Sequence, residues 1–246
     1  MKQNILKGAE AELLKGSNNV GVLVIHGFTG TTQSMRLVAY ALHEKGFTVN
    51  MPRLKGHGTT PEDMESCTYN DWKESVNEAY NELKPLVKEI FVLGLSMGGT
   101  LTLYSAINFP IKGAIVINGA VNLTSMEEVY KNPTSQRFIE GIGSDIKKDG
   151  VVELAYEKTP KKSIKEIVDF TKEIREELNK ITCPILIFSS IEDHVVPPAN
   201  SKYIYDHVSS LSKELIELEN SYHVATLDND LNLIVSKTLE FIEVNS

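Results

Sequence analysis

The chain has 246 residues, with 25 Lys+Arg against 33 Asp+Glu and a formal net charge of −8. That length suits one α/β domain able to bury about 70–75% of the surface its unfolded form would expose, with no room for a second complete domain. The acidic balance offers no basic stripe to neutralise phosphates, which argues against nucleic acid as a partner. Cys67 and Cys183 are too few for a disulfide framework and lack metal-site spacing, so small buried thiols in a reducing compartment are expected.

In chain order, MKQNILKGAEAELLKG has no apolar core of signal-peptide length, and the longest plain apolar run, near Val22–Ile25, falls far short of a membrane span. A soluble, cytoplasmic chain with no stable membrane insertion is expected. The residues before Ser17 read either as an antiparallel edge strand or as the start of a helix. Short β-rich runs then recur at Gly21–Ile25, Thr48–Met51, Ile90–Leu93, Gly113–Ile117, Ile185–Ser189 and Glu214–Leu218, mostly separated by helical stretches. This rhythm predicts an α/β fold with a mostly parallel sheet and helices on both faces. A helix is predicted from near Gln33 to Gly46, and another from Met97 to near Pro110, whose small residues Gly98, Thr102, Ser105 and Ala106 let it lie close to the sheet.

One connection breaks the rhythm. Residues 118–184 separate two predicted strands by 67 positions, where a crossover needs only about a dozen or somewhat more. Ile164, Ile167, Val168, Phe170, Thr171, Ile174 and Leu178 follow one side of a predicted helix, so the insertion has its own apolar face. The expected division is a core of residues 1–118 and 180–246 with a helical cap at 119–179. The Lys/Glu-rich stretch near 147–180 is expected to present a solvated helical face.

The chemistry centres on FVLGLSMGGT, Phe91 to Thr100. An apolar strand stops at Ser96 and a helix starts at Met97, so the serine sits at a corner whose strained backbone brings Gly94 and Gly98 almost into contact. Gly-x-Ser-x-Gly in that setting is a nucleophile elbow, although a serine between glycines can also be an ordinary turn. A serine hydroxyl needs a base, and the base an orienting group. Of six histidines, His223 lies on a loop past the last apolar strand. His26 belongs to the first turn, His57 sits between two glycines, His43 and His207 fall in helical stretches, and His194 follows a candidate carboxylate. ILIFSSIEDHVVPPAN offers Glu192 and Asp193, of which Asp193 is the stronger choice. The chain order Ser96, Asp193, His223 is that of α/β-hydrolases. Oxyanion donors are expected from the N–H groups of Met97 and of Phe28 in HGFTG.

With HGFTG, LKGHG, GLSMGG, EDHVVP and SYHV together, from His26 to Val224, the sequence resembles the bacterial carboxylesterases and monoacylglycerol lipases of the α/β-hydrolase superfamily. The resemblance implies hydrolysis of short- to medium-chain acyl esters or monoacylglycerols through an acyl-serine intermediate, with a small ester or lipid-like substrate and no cofactor or metal. Tyr222 departs from the glycine expected in close relatives and would narrow the mouth of the site. The insertion is expected to wall the acyl pocket, with Ile142, Ile146, Val152, Ile167 and Tyr222 as candidate lining residues. Two alternatives stand beside this reading: a ligand-binding receptor on a hydrolase scaffold, and thioesterase, acyltransferase or peptidase chemistry on the same three residues.

Overall fold

Apolar runs spaced by helical stretches assemble into one sheet because each run is long enough to pair and too apolar to face water. The computed structural model describes residues 4–131 and 136–246. The strands are β1 (Glu12–Leu14), β2 (Val20–Ile25), β3 (Thr48–Met51), β4 (Glu89–Leu95), β5 (Gly113–Ile117), β6 (Phe138–Glu140), β7 (Lys158–Pro160), β8 (Ile185–Ser190) and β9 (Lys213–Leu218). Seven of them form one sheet in the order β1-β3-β2-β4-β5-β8-β9, and β6 pairs with β7 alone. Every neighbour in the large sheet is parallel except β1, which runs antiparallel to β3 with Glu12 opposite Met51. The N-terminal stretch is thus an edge strand rather than a helix.

The helices are α1 (Arg36–Glu44), α2 (Pro61–Glu65), α3 (Tyr69–Leu83), α4 (Met97–Asn108), α5 (Thr124–Lys131), α6 (Lys161–Glu177), α7 (Ala199–His207) and α8 (Leu231–Asn245). The first was expected to start near Gln33. A 3₁₀ turn, Thr32–Met35, capped by the Thr31 hydroxyl, occupies that place and α1 follows it. Side-chain alternation splits the central strands between two apolar layers. Leu23, Ile25 and Val92 face the side covered by α3, α4 and α6, whereas Val22, Val24, Phe91 and Leu93 face α1 and α8. Among the described residues no helix is long and apolar enough to cross a membrane.

The insertion between β5 and β8 holds α5, the β6–β7 pair and α6. On α6 the predicted stripe is buried: Ile164, Ile167, Val168, Phe170 and Ile174 join the same apolar cluster as α3 and α4. Lys73 of α3 reinforces the junction. Its ammonium pairs with Glu173 at 2.6 Å and sits 4.6–5.3 Å from the ring centres of Tyr69, Tyr104 and Phe170. The expectation of a solvated helical face across 147–180 holds only for the outer side of α6. Residues 141–157 form neither helix nor strand.

Candidate active site

The corner at Ser96 arises because β4 ends at Leu95 and α4 begins at Met97. The serine takes φ +59°, a left-handed conformation that non-glycine residues rarely adopt. Its N–H donates to Ile117 O at 2.9 Å and its carbonyl accepts from Thr100 N–H at 3.1 Å, bonds that hold the strained residue between β5 and α4. A Cβ on Gly94 would lie 2.1 Å from Gly98 O, and one on Gly98 would lie 2.2 Å from Ile25 O. Any side chain at either position collides with backbone.

His223 and Asp193 meet from loops beyond β9 and β8. His223 Nδ1 lies 2.7 Å from Asp193 Oδ2, with only 7% and 1% of the two side chains exposed. A carboxylate opposite Nδ1 fixes the proton there and leaves the Nε2 lone pair free to accept another. Asp193 Oδ1 accepts the N–H groups of Val195 and Val196 at 2.8 and 2.7 Å. Glu192, the alternative carboxylate, points to solvent and pairs with Lys147. The histidine loop is held by side chains from elsewhere. Asn118, in a left-handed conformation after β5, donates from Nδ2 to His223 O at 2.8 Å and to Ser190 Oγ at 2.9 Å. Ser190 Oγ in turn donates to Tyr222 O.

Ser96 and His223 open on one cavity, whose walls include Gly27, Phe28 and Thr29 from the first turn and Leu95, Ala120 and Leu123. Met97 opens α4, so its N–H has no carbonyl one turn back. Of the acyl-pocket candidates, Ile142 and Ile167 line the cavity. The structure leaves the other three outside it. Val152 is 70% exposed. Ile146 packs against the cluster beneath α1 and α8. Tyr222 sets its ring edge-on to His194 at 4.6 Å, away from the cavity lining.

The remaining histidines separate by environment. Burial pushes His26 down to about 4 and His57 to about 3, so both are neutral at ordinary pH. His26 donates from Nδ1 to Gly27 O and accepts Leu54 N–H at Nε2, tying the first turn to the loop after β3. Tyr156 docks the insertion on that same loop: its hydroxyl donates to Gly56 O and accepts Thr59 N–H.

Glu153 is not among the residues that the sequence singles out. It lines the cavity, and burial pushes its carboxyl up to about 7 against the opposing pull of His223. No local pattern marks it, because its burial and its charged neighbour His223 come from parts of the chain far from it in sequence.

Comparison with known proteins agrees with this architecture. The chain is 49% identical to a thermostable monoacylglycerol lipase of Bacillus sp. (strain H-257), over 96% of this chain and 95% of that protein. It is 31% identical to a carboxylesterase of Bacillus subtilis (strain 168), over 90% and 92% of the two chains. A solved structure from work on two metagenome-derived lipolytic enzymes, LipS and LipT, superposes with a TM-score of 0.94 at 45% identity, covering 98% of this chain and 99% of that one. The family model described as serine aminopeptidase, S33 (Hydrolase_4), matches residues 17–149 and 144–230. With its parallel sheet, its elbow serine and these matches, the chain belongs to the Hydrolase_4 family of the α/β-hydrolase superfamily.

Proposed function

We propose that Ser96, His223 and Asp193 carry out the hydrolysis of short- to medium-chain acyl esters, monoacylglycerols among them. The chain is a serine ester hydrolase in kind; what is proposed is the assignment of roles and of substrate. The reading is carried by the buried His223–Asp193 pair at 2.7 Å opening on the same cavity as a serine strained at a strand-to-helix corner. Ser96 Oγ attacks the acyl carbon while His223 Nε2 takes its proton, and Asp193 steadies the resulting imidazolium. The N–H groups of Phe28 and Met97 receive the oxyanion. As the tetrahedral species collapses, His223 returns the proton to the departing alcohol. A water activated by the same histidine then releases the acid from Ser96.

Residues 119–179 are read as a cap over the core of 1–118 and 180–246, with Ile142 and Ile167 walling the acyl groove. Glu153, with Thr29 and Asp145, gives polar groups to a cavity that Phe28, Leu123 and Ile167 otherwise wall with apolar side chains, suited to the hydroxyls of a polyol leaving group. Action in the cytoplasm is our reading, in keeping with two free cysteines. The decisive measurement is turnover of p-nitrophenyl butyrate by Ser96→Ala. Loss of the nucleophile should cost on the order of 10⁶-fold in kcat, and ordinary activity in that variant would overturn the assignment. A panel of esters, monoacylglycerols, thioesters and aminoacyl amides, run alongside, identifies the leaving group.

A further inference from the structure

The inserted segment reaches the acid–base pair through Asp145, a residue with no part in the steps above. Asp145 makes four hydrogen bonds, two to each of the loops that carry His223 and Asp193. On the histidine loop, its Oδ2 accepts His223 N–H at 3.1 Å and its carbonyl accepts Val224 N–H at 3.0 Å. On the acid loop, Oδ2 also accepts His194 N–H at 3.1 Å, and Oδ1 accepts from His194 Nδ1 at 2.8 Å. The side chain is only 15% exposed, although it belongs to a stretch with neither helix nor strand. A second carboxylate pins the neighbouring residues: buried Asp228 accepts Lys147 N–H at 2.7 Å, Lys148 N–H at 2.9 Å and Tyr222 N–H at 2.9 Å.

These bonds add to the Asn118–Ser190–Tyr222 links at the strand ends, and they act further out, on the backbone N–H groups of His194 and His223 themselves. β8 and β9 pair as far as Ser190 and Leu218, and Ile191 N–H reaches back to Leu218 O. Beyond that the strands diverge into loops, and the Nδ1–Oδ2 contact of His223 and Asp193 depends on both loops holding their separation. His194 follows Asp193 directly. A clamp on the N–H groups of His194 and His223 therefore fixes the acid and the base from the adjoining backbone.

We propose that Asp145 is a positioning residue for the reaction: a hydrogen-bond clamp, donated by the inserted segment, that holds the acid and histidine loops in the register their pairing requires. It acts through His223 and Asp193 and touches no reacting atom. The inference rests on the assignment of Ser96, Asp193 and His223 made above.

Three variants test it on p-nitrophenyl butyrate. Asp145→Ala removes the side-chain acceptors, and a displacement of the base of about an ångström should lower kcat roughly 10- to 100-fold with KM within about threefold. Asp145→Ser keeps a polar group but is too short to span both loops, and it should lose as much; it carries the test if the alanine variant does not fold. Asp145→Asn keeps an oxygen acceptor for the two N–H donors and should stay within about threefold of the parent kcat. An anchor for the cap alone would instead raise KM and leave kcat in place, and that outcome overturns the clamp. Equal loss in Asp145→Asn and Asp145→Ala also overturns it, since charge rather than hydrogen bonding would then be at work. Folded Asp145→Ala and Asp145→Ser with parental kcat do the same. Ser96→Ala measured beside them separates the two ideas: activity surviving there removes the triad assignment, whereas its loss with Asp145→Ala unaffected removes the clamp alone.

Discussion

Helix α6 and residues 141–157 belong to one insertion yet attach to the rest of the molecule by different physics. The helix buries a continuous apolar stripe, Ile164 to Ile174, into the cluster it shares with α3 and α4. The irregular stretch is fastened mainly by polar groups: Asp145 on the two loops, Asp228 on Lys147 and Lys148, Gln33 on the backbone of Val152 and Leu154. Apolar burial is strong and non-directional, so it holds a helix down without fixing its position finely. Hydrogen bonds to carboxylates contribute less each but specify position. One attachment supplies adhesion and the other supplies register.

The largest effect expected from breaking this contrast is Phe170→Ala on α6. The ring is fully buried, stacks on Tyr69 at 5.6 Å and flanks Lys73, so its loss should cost about 3–5 kcal/mol in urea unfolding. A cost below about 1 kcal/mol would mean that α6 is not held by core packing.

Next comes the carboxyl inside the irregular stretch. Glu153 sheds its proton near 4.5 when unfolded but near 7 when folded, because burial disfavours its charge. Between those values the folded state holds more protons, so this group's contribution to stability is complete below about pH 4.5 and is lost as pH rises to about 7, by roughly 3 kcal/mol in all. Glu153→Gln cannot ionise and should gain on the parent protein across that window. A stability difference that stays flat from pH 4.5 to 8 would refute the assignment.

The smallest effects separate wall from surface within the insertion. Ile167→Ala, on α6 and in the cavity, should shift the kcat/KM ratio between laurate and butyrate esters by about 1–3 kcal/mol. Val152→Ala, 70% exposed, should leave that ratio and the stability within about 0.5 kcal/mol of the parent. If the two variants behave alike, Ile167 does not contact the acyl chain.

The same contrast governs what could be read from residue order. Thr48–Met51 and Gly113–Ile117 match their predicted bounds, as short β-rich runs buried along their whole length. β4 continues to Leu95, two residues past its predicted end, since Gly94 reads as a break in sequence although its bare backbone is what lets the strand meet α4. The stripe on α6 was legible from period alone. Val152 and Ile146 lie outside the cavity lining, and an apolar residue in an aperiodic stretch carries no sign of the direction it faces. Asp145, Glu153 and Asn118 left no trace: their partners lie dozens of positions away, and a lone acid or amide reads as an ordinary surface residue.

The close fit around Ser96 also limits how this centre can be altered. Gly94 and Gly98 admit no side chain without backbone collision, and Ser96 holds a conformation that a β-branched residue would resist. A library randomised over residues 94–98 should return active members that vary at Leu95 and Met97 alone. Both side chains are buried and Leu95 lines the cavity, so those two positions are where the neighbourhood of the nucleophile can be retuned without dismantling the turn that presents it.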